Sequence, residues 1–274
     1  MSAKTREEQI KEEEIKVTKT LAKIKNRLLV FSGKGGVGKS TVAANLALAF
    51  SRKGLKVGLL DVDIHGPNLA KMLGVEDKRM GVSSEGIKAV DVNENLKLVS
   101  MSFLLQDPNL PVIWRGPMKM KAIQQFLGDV DWGELAWLVI DSPPGTGDEP
   151  LSVAQLIPAA GAVVVTTPQE VSLMDSRKAV AFALKLNMEI IGIIENMSGM
   201  VCPHCGKKID LFKEGGGKKA AIELGVPFLG KIPFDPQIVS SGDEGKPFVV
   251  TQPESEASKA FMKIVENIMG VKAH

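Results

Sequence analysis

Gly33-Lys34-Gly35-Gly36-Val37-Gly38-Lys39-Ser40-Thr41 fits the spacing G-x-x-x-x-G-K-[ST] of a phosphate-cradling loop. Before it stands the short apolar run Leu28-Leu29-Val30-Phe31-Ser32, of strand type. After it, Thr41 to Arg52 is rich in Ala and Leu and closes on Gly54, as a helix does. Strand, glycine loop and helix are the order that the chemistry requires. The glycines let successive backbone N–H groups point at one anion, and the helix start adds about half a positive charge. In that pattern Lys39 reaches the β- and γ-phosphates and the Ser40 hydroxyl serves Mg²⁺. The chain is therefore expected to bind a nucleoside triphosphate, ATP, with Mg²⁺.

Lys34 directly follows the first glycine, so the loop holds a second lysine. One reading is a solvated charge at the loop entrance. The other is the signature lysine of deviant phosphate-loop ATPases, which reaches the nucleotide of a partner subunit as a cation supplied in trans. On that reading hydrolysis and dimerisation are coupled.

From Leu28 onward, apolar runs alternate with helical stretches, and each run ends in polar or special residues. Val57 to Leu60 leads into Asp61-Val62-Asp63, Leu138 to Ile140 into Asp141-Ser142-Pro143-Pro144-Gly145, and Val163 to Val165 into Thr166-Thr167-Pro168. Ile190 to Ile194 leads into Glu195-Asn196, and Phe228 to Ile232 into Pro233-Phe234-Asp235. Strands of a parallel sheet buried on both faces have this form, with ligand groups on the loops beyond them. The expected fold is α/β, a predominantly parallel sheet with helices on both faces. Residues 27–274 are expected to form one ATPase domain. Residues 87–99 alternate around Asn93-Glu94-Asn95 and suggest a hairpin. Residues 1–26 form a charged leader, either a weakly packed helix or a mobile tail.

Several strand-end residues are candidates for the chemistry. Asp141, in a D-x-x-x-G pattern, is suited to hold Mg²⁺ through water, and Gly145 to offer an N–H to the γ-phosphate. Asp61 and Asp63, two apart, face one side of an extended segment. Asp63 is assigned to the attacking water and Asp61 to structure or metal. His65 is read as a loop hydrogen-bonding residue. Asn196 and the Pro233-Phe234-Asp235 turn are expected to line the base, the amide bonding the adenine edge and Phe234 packing on the ring.

The chain has two cysteines, in Cys202-Pro203-His204-Cys205. Lys207 and Lys208 favour their thiolates. Structural zinc and iron–sulfur clusters each usually take four protein ligands, and no second pair exists. A two-fold dimer pooling two pairs, a zinc site completed by His204 or other groups, and a dithiol–disulfide couple all remain open. The dimer is favoured because Lys34 asks for the same symmetry.

With these motifs together, the chain resembles the Mrp/ApbC family of deviant Walker A, nitrogenase-iron-protein-like ATPases, which are iron–sulfur cluster carriers. The resemblance runs from about Arg27 to Pro247. Beyond the phosphate loop it rests on Asp61-Val62-Asp63-Ile64-His65-Gly66-Pro67, Trp114-Arg115-Gly116-Pro117-Met118 and Asp141 to Asp148. It continues through Glu195-Asn196-Met197-Ser198-Gly199, the cysteine loop and Gly215-Gly216-Gly217. It implies an ATP-dependent homodimer that holds a [4Fe–4S] cluster between two cysteine pairs and passes it to apoproteins. It also implies roles for Lys34, Lys39, Ser40, Asp63, Asp141 and Asn196 like those above. Trp114 and Arg115 are read as a partner surface or a switch-linked contact, with core as the alternative for Trp114.

Composition fits a cytoplasmic protein. Hydrophobic residues make up 44% and charged residues 24% of 274 residues. A formal net charge of +2 gives no bias toward nucleic acid. No apolar run is long enough to cross a membrane, and the charged start does not resemble a secretory signal. The rival function is a positional-switch ATPase of the partitioning or division-site type, with zinc clasped by the cysteines. In that rival the apolar stripe of Phe261, Ile264, Val265, Ile268 and Met269 would seek a membrane, whereas a core-packed terminal helix is the expectation here.

Overall fold

The computed structural model describes residues 6–63, 66–84, 86–104, 116–158, 160–201, 205, 207–209 and 213–272. The chain opens with α1 (Arg6–Ala22), β1 (Ile24–Phe31), α2 (Lys39–Arg52), β2 (Val57–Asp61) and α3 (Leu69–Met72). Then come β3 (Gly81–Ser83), β4 (Gly86–Lys88), β5 (Val90–Asn93), β6 (Leu96–Ser100), α4 (Gly116–Gly128), β7 (Val130–Asp131) and β8 (Leu135–Asp141). They are followed by α5 (Asp148–Leu156), β9 (Gly161–Thr166), α6 (Glu170–Lys185), β10 (Glu189–Glu195), β11 (Met200–Val201) and β12 (Lys208–Ile209). The last elements are α7 (Gly216–Leu224), β13 (Phe228–Lys231), α8 (Pro236–Asp243), α9 (Phe248–Thr251) and α10 (Glu256–Lys272).

The main sheet has eight strands in the order β13-β10-β9-β1-β8-β2-β6-β5, all parallel except β5, which runs antiparallel to β6. Alternation along β1 shows why both faces are covered. Leu28 and Val30 belong to the core with α2, α9 and α10, whereas Leu29 and Phe31 belong to the core with α1, α4 and α5. Each of these four side chains is at most 1% exposed. Burial on both faces dictates the continuous apolar runs seen in the sequence. The hairpin expected near residues 93–95 is β5–β6, and it joins the main sheet. A small sheet of β3, β4 and β7 lies beside it.

From Arg6 to Ala22 the leader is helical, exposed along most of its length and anchored at its C-terminal end. α1 lies on the end of α4, with Lys16 Nζ donating to Asp129 Oδ1 at 2.8 Å and Thr20 Oγ1 to the Gly128 carbonyl at 3.2 Å. Leu21 is 3% exposed. The first strand begins at Ile24, ahead of the apolar run and of the expected boundary at residue 26. In α10, Phe261, Ile264, Val265 and Ile268 are each buried in the main core. No described helix is long and apolar enough to cross a membrane.

Candidate functional site

The strand ends converge as a parallel sheet requires. β1 delivers the glycine loop, and its neighbour β8 delivers Asp141. β2 delivers Asp61, in direct register with Asp141. Gly38, with φ of 80°, caps α2 at its N-terminus and turns Lys39 into the first helical turn.

Lys39 is buried at the centre of this cluster. Its Nζ lies 2.5 Å from Asp141 Oδ1, 3.5 Å from Asp63 Oδ2 and 3.4 Å from Ser40 Oγ. Asp61 is fully buried, with Oδ2 accepting from Ser100 Oγ at 2.8 Å and Oδ1 from the Asp63 N–H at 3.2 Å. Burial, reinforced by the Asp141 charge, pushes the Asp61 carboxyl well above the usual range. Burial also raises Asp141, against the pull of Lys39 and the Ser40 hydroxyl. One lysine thus pairs with two carboxylates beside the buried Asp61 carboxyl, and Asp141 Oδ2 is buried with no hydrogen-bond partner among the described residues.

That orphaned oxygen fits a hydrated cation. Mg²⁺ binds through one or two carboxylates, substrate phosphates and retained waters. Ser40 and Asp141 are suitably placed for it. A protein-only cage is neither required nor present, since no three His, Cys, Asp or Glu side chains converge as a metal site among the described residues.

The rest of the loop is open. Gly35 and Gly36 are exposed, and a Cβ built on either meets nothing within 4 Å. Val37 is buried and accepts from Asn196 Nδ2 at 2.9 Å. Lys34 is half-buried and has no ion-pair partner among the described residues. Thr41 is half-buried, and the continuous buried run of α2 starts after it, at Val42. Gly33 sits under α6, where a Cβ would lie 2.1 Å from the Asp175 carbonyl oxygen.

Pro233, Phe234 and Asp235 line a cleft of about 350 Å³ together with Glu256 and Ala257. Asp235 caps α8, accepting from the Gln237 N–H at 2.9 Å. The walls of this cleft include neither Asn196 nor any residue of the glycine loop. The structure therefore gives Asn196 a contact with the phosphate loop and leaves the 233–235 turn to a separate cleft.

The cysteine segment lies between β11 and β12, paired Met200↔Ile209 and Val201↔Lys208. Cys205 is exposed. Cys202, His204, His65, Trp114 and Arg115 lie outside the described residues.

Two residues carry more than their sequence context indicates. Ser100, at the end of β6, fixes Asp61. Glu195, fully buried at the end of β10, accepts from Ser198 Oγ, from the Gly215 N–H at 2.9 Å and from the Gly217 N–H at 2.5 Å. A charge ending an otherwise apolar strand was the available signal for Glu195.

The model of the ParA-type NUBPL iron-transfer P-loop NTPases matches residues 23–269. The chain belongs to this family. Among relatives of the NUBPL-type NTPase, an iron–sulfur cluster carrier protein of Methanocaldococcus jannaschii is 52% identical over 259 residues, covering 94% of this chain and 89% of its own. Another, from Saccharolobus solfataricus, is 48% identical over 265 residues, with 96% and 90% covered. A nucleotide-binding protein from Archaeoglobus fulgidus, solved in complex with ADP and with cobalt found, superposes with a TM-score of 0.79. It is 38% identical, and the match covers 90% of this chain and 96% of that one. The Pyrococcus furiosus cell division ATPase MinD superposes with a TM-score of 0.65 at 26% identity, covering 90% and 99%. The fold of this NUBPL-type NTPase is thus that of the P-loop NTPases with a mostly parallel sheet.

Proposed function

We propose that this chain is an ATP-hydrolysing iron–sulfur carrier that works as a homodimer in a reducing, cytoplasmic compartment. It holds a [4Fe–4S] cluster across the two-fold axis through Cys202 and Cys205 of each copy and passes it to apoproteins. One observation supports the reading: the first strand of the hairpin that flanks the chain's two cysteines starts at Met200, a short stretch of chain after Asn196, whose amide grips the phosphate loop. The carrier names of relatives about half identical to this chain support the cargo. Val171 and Met174 on α6, 65% and 55% exposed, precede Asp175, which packs on Gly33, and offer an apolar margin for a second copy.

In the proposed cycle the loop N–H groups, Lys39 and Thr41 receive the triphosphate. Lys39 exchanges its carboxylates for phosphate oxygens. Ser40 and Asp141 would hold Mg²⁺, which would supply charge neutralisation at the phosphates. Asp63 orients a water toward the γ-phosphorus, and Lys34 of the partner subunit meets the developing charge. The water oxygen bonds to phosphorus as the bond to the ADP oxygen breaks, and the water proton passes to phosphate. The cleft of Pro233, Phe234 and Asp235 takes the base, and Asn196 joins it by releasing Val37.

Anaerobic reconstitution with iron and sulfide, read by native mass spectrometry, tests this. The expected product is a dimer gaining the mass of one four-iron cluster and losing it in Cys202→Ser/Cys205→Ser. A cluster-free dimer with one firmly held zinc would overturn the carrier reading in favour of a positional switch with a structural clasp.

A further inference from the structure

We infer that Glu195 is the positioning residue through which nucleotide occupancy sets the geometry of the cysteine hairpin. This rests on the nucleotide-binding part of the reading above and not on the identity of the cargo.

Glu195 closes the neck of the excursion that holds the cysteines. Its carboxylate accepts from Ser198 on the way out, before β11, and from Gly215 and Gly217 on the way back, at the start of α7. Its backbone carbonyl accepts from the Ile232 N–H at 2.8 Å. The neighbouring backbone is also tied: the Ser198 N–H donates to Ile232 O, and the Phe234 N–H to Gly199 O. Gly217 leaves room for this clamp, because a Cβ there would lie 2.9 Å from Glu195 Cβ.

The carboxylate has no cation within ion-pair distance among the described residues. Backbone N–H groups at the start of a nine-residue helix satisfy it instead, aided by the positive end of the helix. Packing alone does not call for a charge here, since well-packed apolar groups often replace buried ions without loss of stability. What a carboxylate adds is four lone-pair directions aimed at two separate segments of chain.

The adjacent residue, Asn196, faces the phosphate loop. The Asn196 N–H donates to Thr166 O at 2.7 Å, and its side chain to Val37 O at 2.9 Å. Gly38 passes so close that a Cβ built on it would stand 2.3 Å from Asn196 Nδ2. A loop that reshapes around phosphates must displace this amide. Glu195, one peptide away, then shifts its grip on both ends of the hairpin excursion.

The chain's cysteines are its two thiols, both in this hairpin, so thiol reactivity reports on it alone. The test is the iodoacetamide alkylation rate of reduced, metal-free full-length protein, with Mg²⁺ and ATP, ADP or no nucleotide. The wild-type rate is expected to change by about fivefold or more between nucleotide states. In Glu195→Gln the ratio falls to near one, with nucleotide affinity unchanged. A merely structural role would shift all the rates together and preserve the ratio. Ser198→Ala, which removes one donor, is expected to give an intermediate ratio and decides the matter should the Gln variant not fold. A wild-type ratio in the folded Gln variant, or in Ser198→Ala when the Gln variant does not fold, overturns the inference. So does a wild-type rate indifferent to nucleotide. Failure of cluster reconstitution would sink the cargo and leave these ratios standing.

Discussion

Lys39 shows how much one side chain holds together before any substrate arrives. It is the cation for a buried carboxylate group, so its removal acts twice. Lys39→Ala is expected to weaken ATP binding by two orders of magnitude, about 3 kcal/mol, measured by calorimetric titration. It is also expected to cost stability, by up to about 3 kcal/mol in denaturant melts, because breaking a buried pair strands the remaining charge. Asp61 should behave in the opposite way. Its carboxyl is raised by burial and by Asp141, so the folded protein keeps a proton that the unfolded chain has already lost. Stability therefore falls as pH climbs from the unfolded carboxylate value through the raised folded one. In nucleotide-free, metal-free protein, Asp61→Asn should melt like wild type near pH 4 and some 2–4 °C higher near pH 8, for roughly 1 kcal/mol. Ser100 can accept from the new amide as it now donates to the carboxylate. A wild-type melting profile across that range would show that the Asp61 charge costs nothing. The sequence indicated that Asp61 and Asp141 stand at the ends of apolar strands, and the structure brings them into register. The sequence did not show that Ser100 locks Asp61 away from solvent, because that contact depends on the neighbour chosen by β2.

The elements were legible where burial is symmetrical. The latter half of β1, together with β2, β8, β9 and β10, is buried on both faces and spells continuous apolar runs. The first half of β1 is another matter. Ile24 to Arg27 pair only with β8, because β9 joins from Leu28 onward. With one side of the strand open, Lys25, Asn26 and Arg27 stay polar and the strand signal vanishes. The leader was ambiguous for a related reason: α1 is charged on most of its surface, and its anchor is the end of α4, far away in sequence. The cleft at 233–235 was foreseen as a turn, but its partners Glu256 and Ala257 come from the last helix. Leu21→Ala is expected to cost about 2–4 kcal/mol by urea denaturation. Lys16→Ala, which removes a bond to a half-exposed Asp129, should cost under about 1 kcal/mol. Equal costs would mean that α1 is held by its charges and not by its apolar seat.

At the scale of the molecule, the glycine loop, the carboxylates and the root of the cysteine hairpin share one end of the sheet. A second copy facing that end would bring Lys34 to the nucleotide. Lys34→Ala is then expected to lower turnover by about a thousandfold and leave ATP binding intact. Mixing Lys34→Ala with Lys39→Ala should restore hydrolysis, because the mixed dimer contains one competent loop and one intact trans lysine. Two inactive proteins that stay inactive when mixed, although mixed dimers form, would place Lys34 in its own subunit's site.

The position of β1 also has a consequence for synthesis. It lies between β8 and β9, with Leu29 beside Ile140 and beside Ala162. While the ribosome is still making the first half of the chain, the most apolar strand near the N-terminus has neither of its neighbours. Sheets closed by such distant pairings form slowly and leave strand edges bare in the interim. The nascent protein must therefore wait with Leu28 to Phe31 exposed until Asp141 has left the exit tunnel, and holdase chaperones have that interval in which to act.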